Sequence, residues 1–284
     1  MATFRNQATL SYNGSSTTSN VVVGEITQVL SAAKNALVDT YQEGDQLTYV
    51  VSITNSGTTA FTALTVTDDL GAYEFGTETR TPLTYVEDSV ALYQNGVLQD
   101  DPTVTAGPPL TFADITVPAM GSVVLIYQAR VNEFADPSGE GSITNTATVT
   151  GGGLSTPIEV SETVTAESGL LLTITKAISP VPVAENGRLT YTFVIENFGT
   201  EPAVATDNVV VTDLFDPILS DLVVTLNGAP WTAPAQYTYN QATGLFTSQI
   251  GAITVPAATV VRDPVTGAFT TVPGVATLVV TGTV

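Results

Sequence analysis

The sequence predicts an all-β chain composed of two tandem sandwiches. Segments such as LTVTD (64–68), NTATVT (145–150) and ATLVVTGTV (276–284) alternate apolar residues with threonine, which is the two-residue period of half-buried strands. No stretch shows sustained helical periodicity. The 284 residues suffice for two domains that each bury a core of their own.

Two copies of one repeat set the domain organisation. The first contains VLSAAKNALVDTYQEGDQLTYVVSITNSG and the second LLTITKAISPVPVAENGRLTYTFVIENFG, and their lysines, LTY motifs and Asn-x-Gly motifs keep a constant offset of 142 residues. QVLSAAKNAL (28–37) resembles a helix in composition, but its mate LLLTITKAIS (170–179) alternates as a strand does, so both are predicted as strands. Lys34 and Lys176 are the only lysines, and their matching places indicate a shared role in assembly.

The remaining segments follow the same order in both copies. The first copy continues with LTVTDDL (64–70), ALYQNGV (91–97), ITVPAMGSVVLIYQARV (115–131) and SITNTATVTGGGLSTPIEVSETVT (142–165). The second continues with VVVTDLF (209–215), VTLNGAP (224–230), ITVP (253–256) and VATLVVTGTV (275–284). Because Val284 corresponds roughly to Val131, the second copy is predicted to lack its closing strands. The expected domains are a hairpin at 1–27, a complete sandwich at 28–166 and an incomplete one at 167–284.

The first residues of the chain match the strands that the second copy lacks. TFRNQATLSYNGSSTTSNVVVGEI (3–26) aligns with SITNTATVTGGGLSTPIEVSETV, which places Asn6 on Asn145, Ala8 on Ala147 and Leu10 on Val149. An isolated hairpin is unstable, and proteins avoid exposed apolar sheet edges. The isolated hairpin needs a partner, and the second copy needs the strands that the hairpin resembles. We therefore expect the hairpin to complete the second sandwich of the next copy, giving a head-to-tail homopolymer.

This donor-strand interpretation assigns an assembly interface on the inward face of the hairpin. Its predicted residues are Phe4, Asn6, Ala8, Leu10, Val21 and Val23. The simpler alternative is that residues 1–27 form a mobile or edge segment on the first sandwich.

Composition excludes several classes of function. Seven basic residues against 27 acidic ones give a net charge of −20, which argues against a nucleic-acid partner because phosphate binding needs a basic patch. The chain has no cysteine and no histidine, which excludes disulfides, serine triads, Cys–His dyads and ordinary zinc sites. No Asp-x-Asp-x-Asp-Gly calcium loop is present, so no metal or cofactor is predicted. No paired carboxylates favour a glycosidase, so the chain is not expected to be an enzyme apart from autocatalytic bond formation.

The expected location is extracellular, at a cell or spore surface. No apolar run approaches the length of about 20 residues that spans a bilayer, so membrane insertion is not expected. The opening MATFRNQATLSYNGSS lacks the pattern of a secretory signal. Either a leader has been removed, or the protein reaches its surface without one, for example by lysis of the mother cell around a spore.

Strand alternation places a lysine, an aspartate and an asparagine on the inward face of each sandwich. In the first sandwich these are Lys34, Asp68 and Asn145. In the second they are Lys176 and Asp213, with Asn6 contributed by the neighbouring copy.

Such a trio can form a covalent bond. Burial favours neutral lysine and protonated aspartate, because isolated charges are costly in an apolar interior. The neutral amine is a nucleophile, and the carboxyl can polarise the asparagine amide and carry the proton. We therefore expect a Lys34–Asn145 isopeptide bond within the chain and a Lys176–Asn6 bond between chains, assisted by Asp68 and Asp213. The alternative is a buried Lys–Asp pair with a hydrogen-bonded asparagine.

This trio resembles that of the self-cross-linking immunoglobulin-like domains of Gram-positive pilins and adhesins. LTYTFVIENFGT, VVVTDLF and ITNTATVT further resemble the bacterial surface repeat family called domain of unknown function eleven. The resemblance covers both repeats and the hairpin, and it implies immunoglobulin-like sandwiches in cell-surface proteins. By analogy, the chain is also similar to proteins that build spore appendages.

The favoured function is a structural subunit of a pilus-like fibre or spore appendage, whose partner is another copy of itself, with an unknown surface anchor or tip protein as a further partner. The alternative is a surface adhesin or scaffold that binds a glycan or host protein through its loops. Its candidate loops are TETRTPLTYVED (77–88) and WTAPAQYTYNQATGLF (231–246), although aromatic residues in sandwiches more often pack in the core.

Overall fold

A computed structural model describes residues 2–284, so Met1, with which the predicted hairpin begins, lies outside the described residues. These residues form strands, turns and loops, with one short 3-10 turn. The first compact unit contains residues up to Asp136 and Glu140–Ala166, and the second contains Pro137–Gly139 and Glu167–Val284. The predicted all-β chain with two tandem sandwiches is confirmed.

The N-terminal hairpin forms two ladders of its own within the first unit. Its strands are β1 Ala2–Asn6, β2 Thr9–Tyr12, β3 Ser15–Thr18 and β4 Val22–Ile26. β1 pairs only with β4 and β2 only with β3 among the described strands, with a break in the pairing at Gln7 and Ala8. The buried core of the unit contains none of the hairpin residues that the structure describes.

The rest of the first unit is a sandwich of two six-stranded sheets. Its strands are β5 Leu30–Ala36, β6 Thr40–Tyr41, β7 Gln46–Asn55, β8 Phe61–Asp68, β9 Tyr73–Phe75, β10 Glu78–Arg80, β11 Leu83–Tyr85, β12 Ala91–Gln94, β13 Val97–Leu98, β14 Thr103–Thr105, β15 Leu110–Val117, β16 Gly121–Val131, β17 Ser142–Gly151 and β18 Ile158–Ala166. One sheet has the order β13-β12-β16-β7-β5, with β11 also on β16. The other has the order β14-β15-β8-β17-β18-β6, and β9 pairs with β10 separately.

The second unit repeats only part of this plan. Its strands are β19 Leu172–Ser179, β20 Arg188–Asn197, β21 Thr212–Leu214, β22 Ser220–Leu226, β23 Ala229–Trp231, β24 Tyr237–Asn240, β25 Leu245–Ser248, β26 Thr259–Arg262, β27 Phe269–Val272 and β28 Gly274–Thr283, and the 3-10 turn spans Ala205–Asp207. One sheet has the order β19-β20-β28-β22-β23 and matches its counterpart in the first unit. The facing sheet has only three strands, β21-β25-β24, and β26 and β27 form a separate hairpin.

Alternation along the long strands builds each core. In β7 every second residue is buried, and Tyr49, Val51 and Ile53 are fully inaccessible to solvent. β5 keeps the same alternation and pairs with β7, which confirms that QVLSAAKNAL contains a strand rather than a helix. Tyr49 stacks on Tyr127 at 5.7 Å between ring centroids, so aromatic rings fill the centre of the first sandwich.

The repeated Asn-x-Gly motif fastens a loop in each unit through a buried asparagine. Asn55 Nδ2 donates to the carbonyl oxygens of Thr59 and Pro118 at 2.8 and 2.9 Å, and its Oδ1 accepts from the amide of Gly57 at 2.9 Å. Asn197 makes the matching bonds to Glu201, Pro256 and Gly199. Both side chains are buried, so the motif satisfies backbone groups that would otherwise lack partners.

We expect Asn55→Ala to destabilise the first unit by about 2–4 kcal/mol, because three partly buried hydrogen bonds to backbone groups are lost together. Denaturant unfolding measures the change. Asn20→Ala is the control, since Asn20 is exposed and lies outside the strands. Equal midpoints for the two variants would contradict the structural role of Asn55.

Candidate functional site

Lys34 lies in the interior of the first sandwich beside Asp68. Lys34 is 4 % exposed on β5, and Asp68 is 0 % exposed at the end of β8. Lys34 Nζ donates to Asp68 Oδ2 at 2.5 Å. The sequence places them there because both occupy inward positions of strands whose neighbouring inward residues are apolar. A buried ion pair of this kind is rare and costly unless further groups satisfy it.

Asn145 completes the predicted trio, and Tyr127 connects it to Asp68. The Tyr127 hydroxyl donates to Asp68 Oδ2, and Asn145 Nδ2 donates to the Tyr127 hydroxyl at 3.5 Å. Asn145 lies on β17, two residues from Ala147, which is directly opposite Asp68 on β8. The structure therefore brings the trio into one buried cluster around Tyr127.

Tyr127 is a member of the cluster that sequence reasoning missed. Its inward position on β16, directly opposite Tyr49 of the LTY motif, could have identified it as a neighbour of the trio. Asn145 Oδ1 has no hydrogen-bond donor in the part of the chain that the structure describes. This carbonyl oxygen therefore keeps its capacity to accept a hydrogen bond.

Burial sets the protonation of the cluster. It lowers the pKa of Lys34, and the attraction of Asp68 opposes this shift only in part. Burial also raises the pKa of Tyr127 well above its usual value, and the Asp68 carboxylate adds to the effect. Tyr127 therefore keeps its proton at neutral pH and donates a hydrogen bond, and Lys34 loses its proton more readily than a solvated lysine does.

The second unit contains the same pair in a more open setting. Lys176 on β19 forms an ion pair with Asp213 on β21, but their side chains are 41 % and 17 % exposed, whereas those of Lys34 and Asp68 are 0 % and 1 % exposed. Lys176 Nζ lies 4.5 Å from the centroid of the Tyr191 ring, so the lysine points toward the apolar side of its sheet. The predicted burial of this pair is not found within a single chain.

The exposure of Lys176 and Asp213 agrees with the smaller number of strands paired around β21 in the part of the chain that the structure describes. In the first unit β8 lies between β15 and β17, so Asp68 is covered on both sides. In the second unit β21 pairs with β25, and no described strand pairs with its other edge. The position of Tyr127 is taken by Val280, since these residues lie opposite the matching tyrosines Tyr49 and Tyr191.

The hairpin exposes the apolar residues predicted for an assembly interface. Phe4 is 52 % exposed, Leu10 63 % and Val21 48 %, and Ala8 is also exposed. The Phe4 ring lies over Gly24, where a β-carbon would come within 2.3 Å of it. These exposed side chains belong to neither buried core, and a two-stranded hairpin is only marginally stable by itself.

The register of the hairpin differs from the prediction at Val23. Val22 lies opposite Asn6, whereas Val23 lies opposite Arg5. Because directly opposite residues share a face, Val22 rather than Val23 belongs with Asn6 and Phe4. The assignment of Val23 from the alignment does not hold for the free hairpin, because the gap in pairing at Gln7 and Ala8 changes the register between its two ladders.

The loops proposed for adhesion carry aromatic residues that pack inward. Tyr85 in 77–88 and Tyr237 in 231–246 are 9 % and 8 % exposed, and Trp231 packs against the second core. These rings therefore pack within the sandwiches and do not form an exposed ligand-binding surface.

No family model matches the chain, and no curated protein matches it in sequence. Membership of domain of unknown function eleven therefore stays a prediction. No helix in the described part of the chain is long and apolar enough to cross a membrane.

Solved structures of surface proteins are similar to the chain at low identity. The pilus backbone RrgB of Streptococcus pneumoniae is 12 % identical with a TM-score of 0.34, covering 86 % of this chain and 55 % of that one. BcpA, the major pilin subunit of Bacillus cereus, is 12 % identical with a TM-score of 0.36, covering 96 % and 73 %. A collagen-binding domain of a Staphylococcus aureus adhesin is 11 % identical with a TM-score of 0.31, covering 50 % and 99 %. The chain thus spans about half the length of the pneumococcal protein.

Proposed function

We propose that this chain is the structural subunit of an extracellular fibre, in which the hairpin β1–β4 of one copy completes the second sandwich of the next. The observation that carries the proposal is the open edge of β21 at the place where β17 covers β8 in the first sandwich. The hairpin at residues 2–26 has the sequence pattern of β17 and β18. A fibre on a cell or spore surface is the assembly that such an open-ended contact produces.

The donor side fits this role residue by residue. In β17 the inward residues Ile143, Asn145, Ala147 and Val149 are at most 2 % exposed. Their counterparts in the hairpin, Phe4, Asn6, Ala8 and Leu10, are all exposed. Burying an apolar side chain of the size of phenylalanine or leucine stabilises an interface by about 1.5–3 kcal/mol. The hairpin therefore has a substantial driving force to enter a sandwich of the same kind.

The acceptor side also exposes apolar surface at the expected place. β18 packs against β5 in the first unit, where Ala32 and Ala36 are half-buried. At the matching positions on β19, Ile174 is 53 % and Ile178 46 % exposed. A second strand of the donor, β4, would cover these isoleucines as β18 covers the alanines.

Electron microscopy of the purified protein tests the proposal directly. The full chain is expected to form filaments, and a variant lacking residues 1–27 is expected to remain monomeric, because neither core contains a hairpin residue that the structure describes. Asn20→Ala is the matched control and is expected to form filaments, since Asn20 lies between strands. Filaments formed by the truncated protein would refute strand donation.

The buried trio supports a second element of the proposal, an isopeptide bond between Lys34 and Asn145. We expect the intact mass of the monomer to be lower than the sequence mass by one ammonia. Lys34→Arg is expected to restore the full mass, because a guanidinium stays charged and does not attack the amide. A wild-type monomer with its full sequence mass would show that Lys34 and Asp68 are only an ion pair.

A further inference from the structure

The two lysine sites differ in their contact with water although their sequences match. The Lys34 side chain has no exposed surface, whereas 41 % of the Lys176 side chain is accessible. Both form an ion pair with the aspartate at the same place in their sandwich. Both sites thus contain a lysine paired with an aspartate. At the first site, however, both side chains are shielded from water, and the corresponding asparagine, Asn145, lies in the same unit.

We propose that Lys176 and Asp213 form a latent cross-linking site that reacts only when the hairpin of a second copy enters, delivering Asn6 and excluding water from the lysine. This inference rests on the proposed function. It adds that assembly itself starts the covalent step, so that a free subunit does not react at this site.

Geometry supports both parts of the inference. Asn6 is the counterpart of Asn145, and Asp213 that of Asp68, so insertion in the register of β17 brings Asn6 two residues from the position opposite Asp213. The face of the hairpin that carries Asn6 also carries Phe4, Val22 and Gly24. Arg5 and Glu25 lie on the other face. The inserted surface therefore brings apolar groups and no charge to Lys176.

Insertion changes the balance between the charged and neutral forms of the pair. The groups already facing Lys176 are Asp213 and the rings of Tyr191, Phe193 and Phe215. Once water is excluded, transfer of one proton from Lys176 to Asp213 replaces two buried charges with two neutral groups. Val280 offers no hydroxyl at this site, so Lys176 is the donor that the site provides for Asp213.

The covalent step then balances without any added reactant. The lone pair of Lys176 Nζ attacks Cγ of Asn6, whose carbonyl oxygen accepts a hydrogen bond from protonated Asp213. The bond between Cγ and Nδ2 breaks, and Nδ2 leaves as ammonia with a proton relayed from Nζ by the carboxylate. One amine and one primary amide become one secondary amide and ammonia, with no oxidation or reduction.

Boiling filaments in detergent tests whether the bond forms. The wild type and the control Asn20→Ala are expected to give a ladder of covalent oligomers, with a digest containing one peptide in which Lys176 is joined to Asn6. Lys176→Arg is expected to form filaments that release only monomers. Wild-type filaments that dissolve to monomers would overturn this inference and leave the fibre proposal intact, whereas absence of filaments would overturn both.

Leu10→Asp tests whether insertion controls the reaction. Because Leu10 is 63 % exposed, the substitution spares the folded chain, but it places a charge on the face that must be buried. The variant is therefore expected to remain monomeric and to have lost only the ammonia released by the bond between Lys34 and Asn145. N-hydroxysuccinimide acetate is expected to acetylate its Lys176 and not its Lys34, and to leave Lys176 of wild-type filaments unmodified. A Lys176 as unreactive in the monomer as Lys34, or already bonded to Asn6, would overturn the inference.

Discussion

A chain carrying Thr9→Cys and Thr212→Cys is expected to form a ladder of disulfide-linked oligomers under mild oxidation. This variant and its controls also carry Lys176→Arg, so that no isopeptide bond between copies adds to the ladder. The natural chain has no cysteine, so the two introduced thiols are the only ones present. Thr9 is the counterpart of Thr148, and Thr212 that of Thr67, which lie directly opposite each other on β17 and β8. Opposite residues on antiparallel strands have Cα atoms about 4.5–5.5 Å apart, a distance that a disulfide spans.

The disulfide would show that the hairpin of one copy inserts into another copy, and also in which register it inserts. Thr9 and Thr212 are both exposed in the single chain, so neither substitution removes a core contact. Each bond would join two copies, because one cysteine lies on the donor hairpin and the other on the edge strand that receives it. Non-reducing gels measure the ladder, and treating the oxidised sample with a reductant is expected to abolish it.

Controls separate specific pairing from random collision. Thr9→Cys with Thr238→Cys keeps both residue types and the same sheet, but Thr238 lies on β24, two strands away from β21. This variant is expected to form filaments without a ladder, and each single variant is expected to give dimers at most. A ladder of equal strength from the Thr238 pair would contradict the proposed register.

Strand alternation predicted much of the site because it is a local property. It placed Lys34, Asp68 and Asn145 inward, and all three are buried in the structure. The repeat offset likewise predicted that β5 and β19 are equivalent, and both pair in the same register with the following strand. The face of a strand on which a side chain lies follows from its neighbours along the chain. The equivalence of strands in the two repeats follows from matching sequence. Both can therefore be predicted from the sequence.

Other features depended on contacts that no local pattern reveals. The Tyr127 hydroxyl meets Asp68 only because the two sheets pack face to face, so its role could not be predicted from β16 alone. The face of Val23 depended on pairing between the arms of the hairpin, which the gap at Gln7 and Ala8 alters. The exposure of Lys176 depended on the absence of a neighbouring strand among the described residues.

Replacing both Lys34 and Asp68 with apolar residues is expected to distinguish a covalent bond from an ion pair. Exchange of a buried ion pair for apolar groups of similar size is often neutral or even stabilising. A bond between Lys34 and Asn145, however, closes a loop of roughly a hundred residues, whose loss costs about 4–5 kcal/mol by the loop-entropy argument for cross-links. Lys34→Met with Asp68→Leu is therefore expected to lower the stability of the first sandwich by that amount.

Calorimetry measures this loss as a fall of roughly 10–20 °C in the Tm of the first sandwich, which has about 140 residues. Asn145→Asp with Lys34 retained serves as the matched variant, because an aspartate side chain keeps the shape of asparagine and can form the same amide with loss of water. Its Tm is expected to stay close to that of the wild type. If the apolar double variant melts at the wild-type temperature, the cluster contributes no covalent restraint, since removal of a cross-link cannot be compensated by side-chain packing at two positions alone.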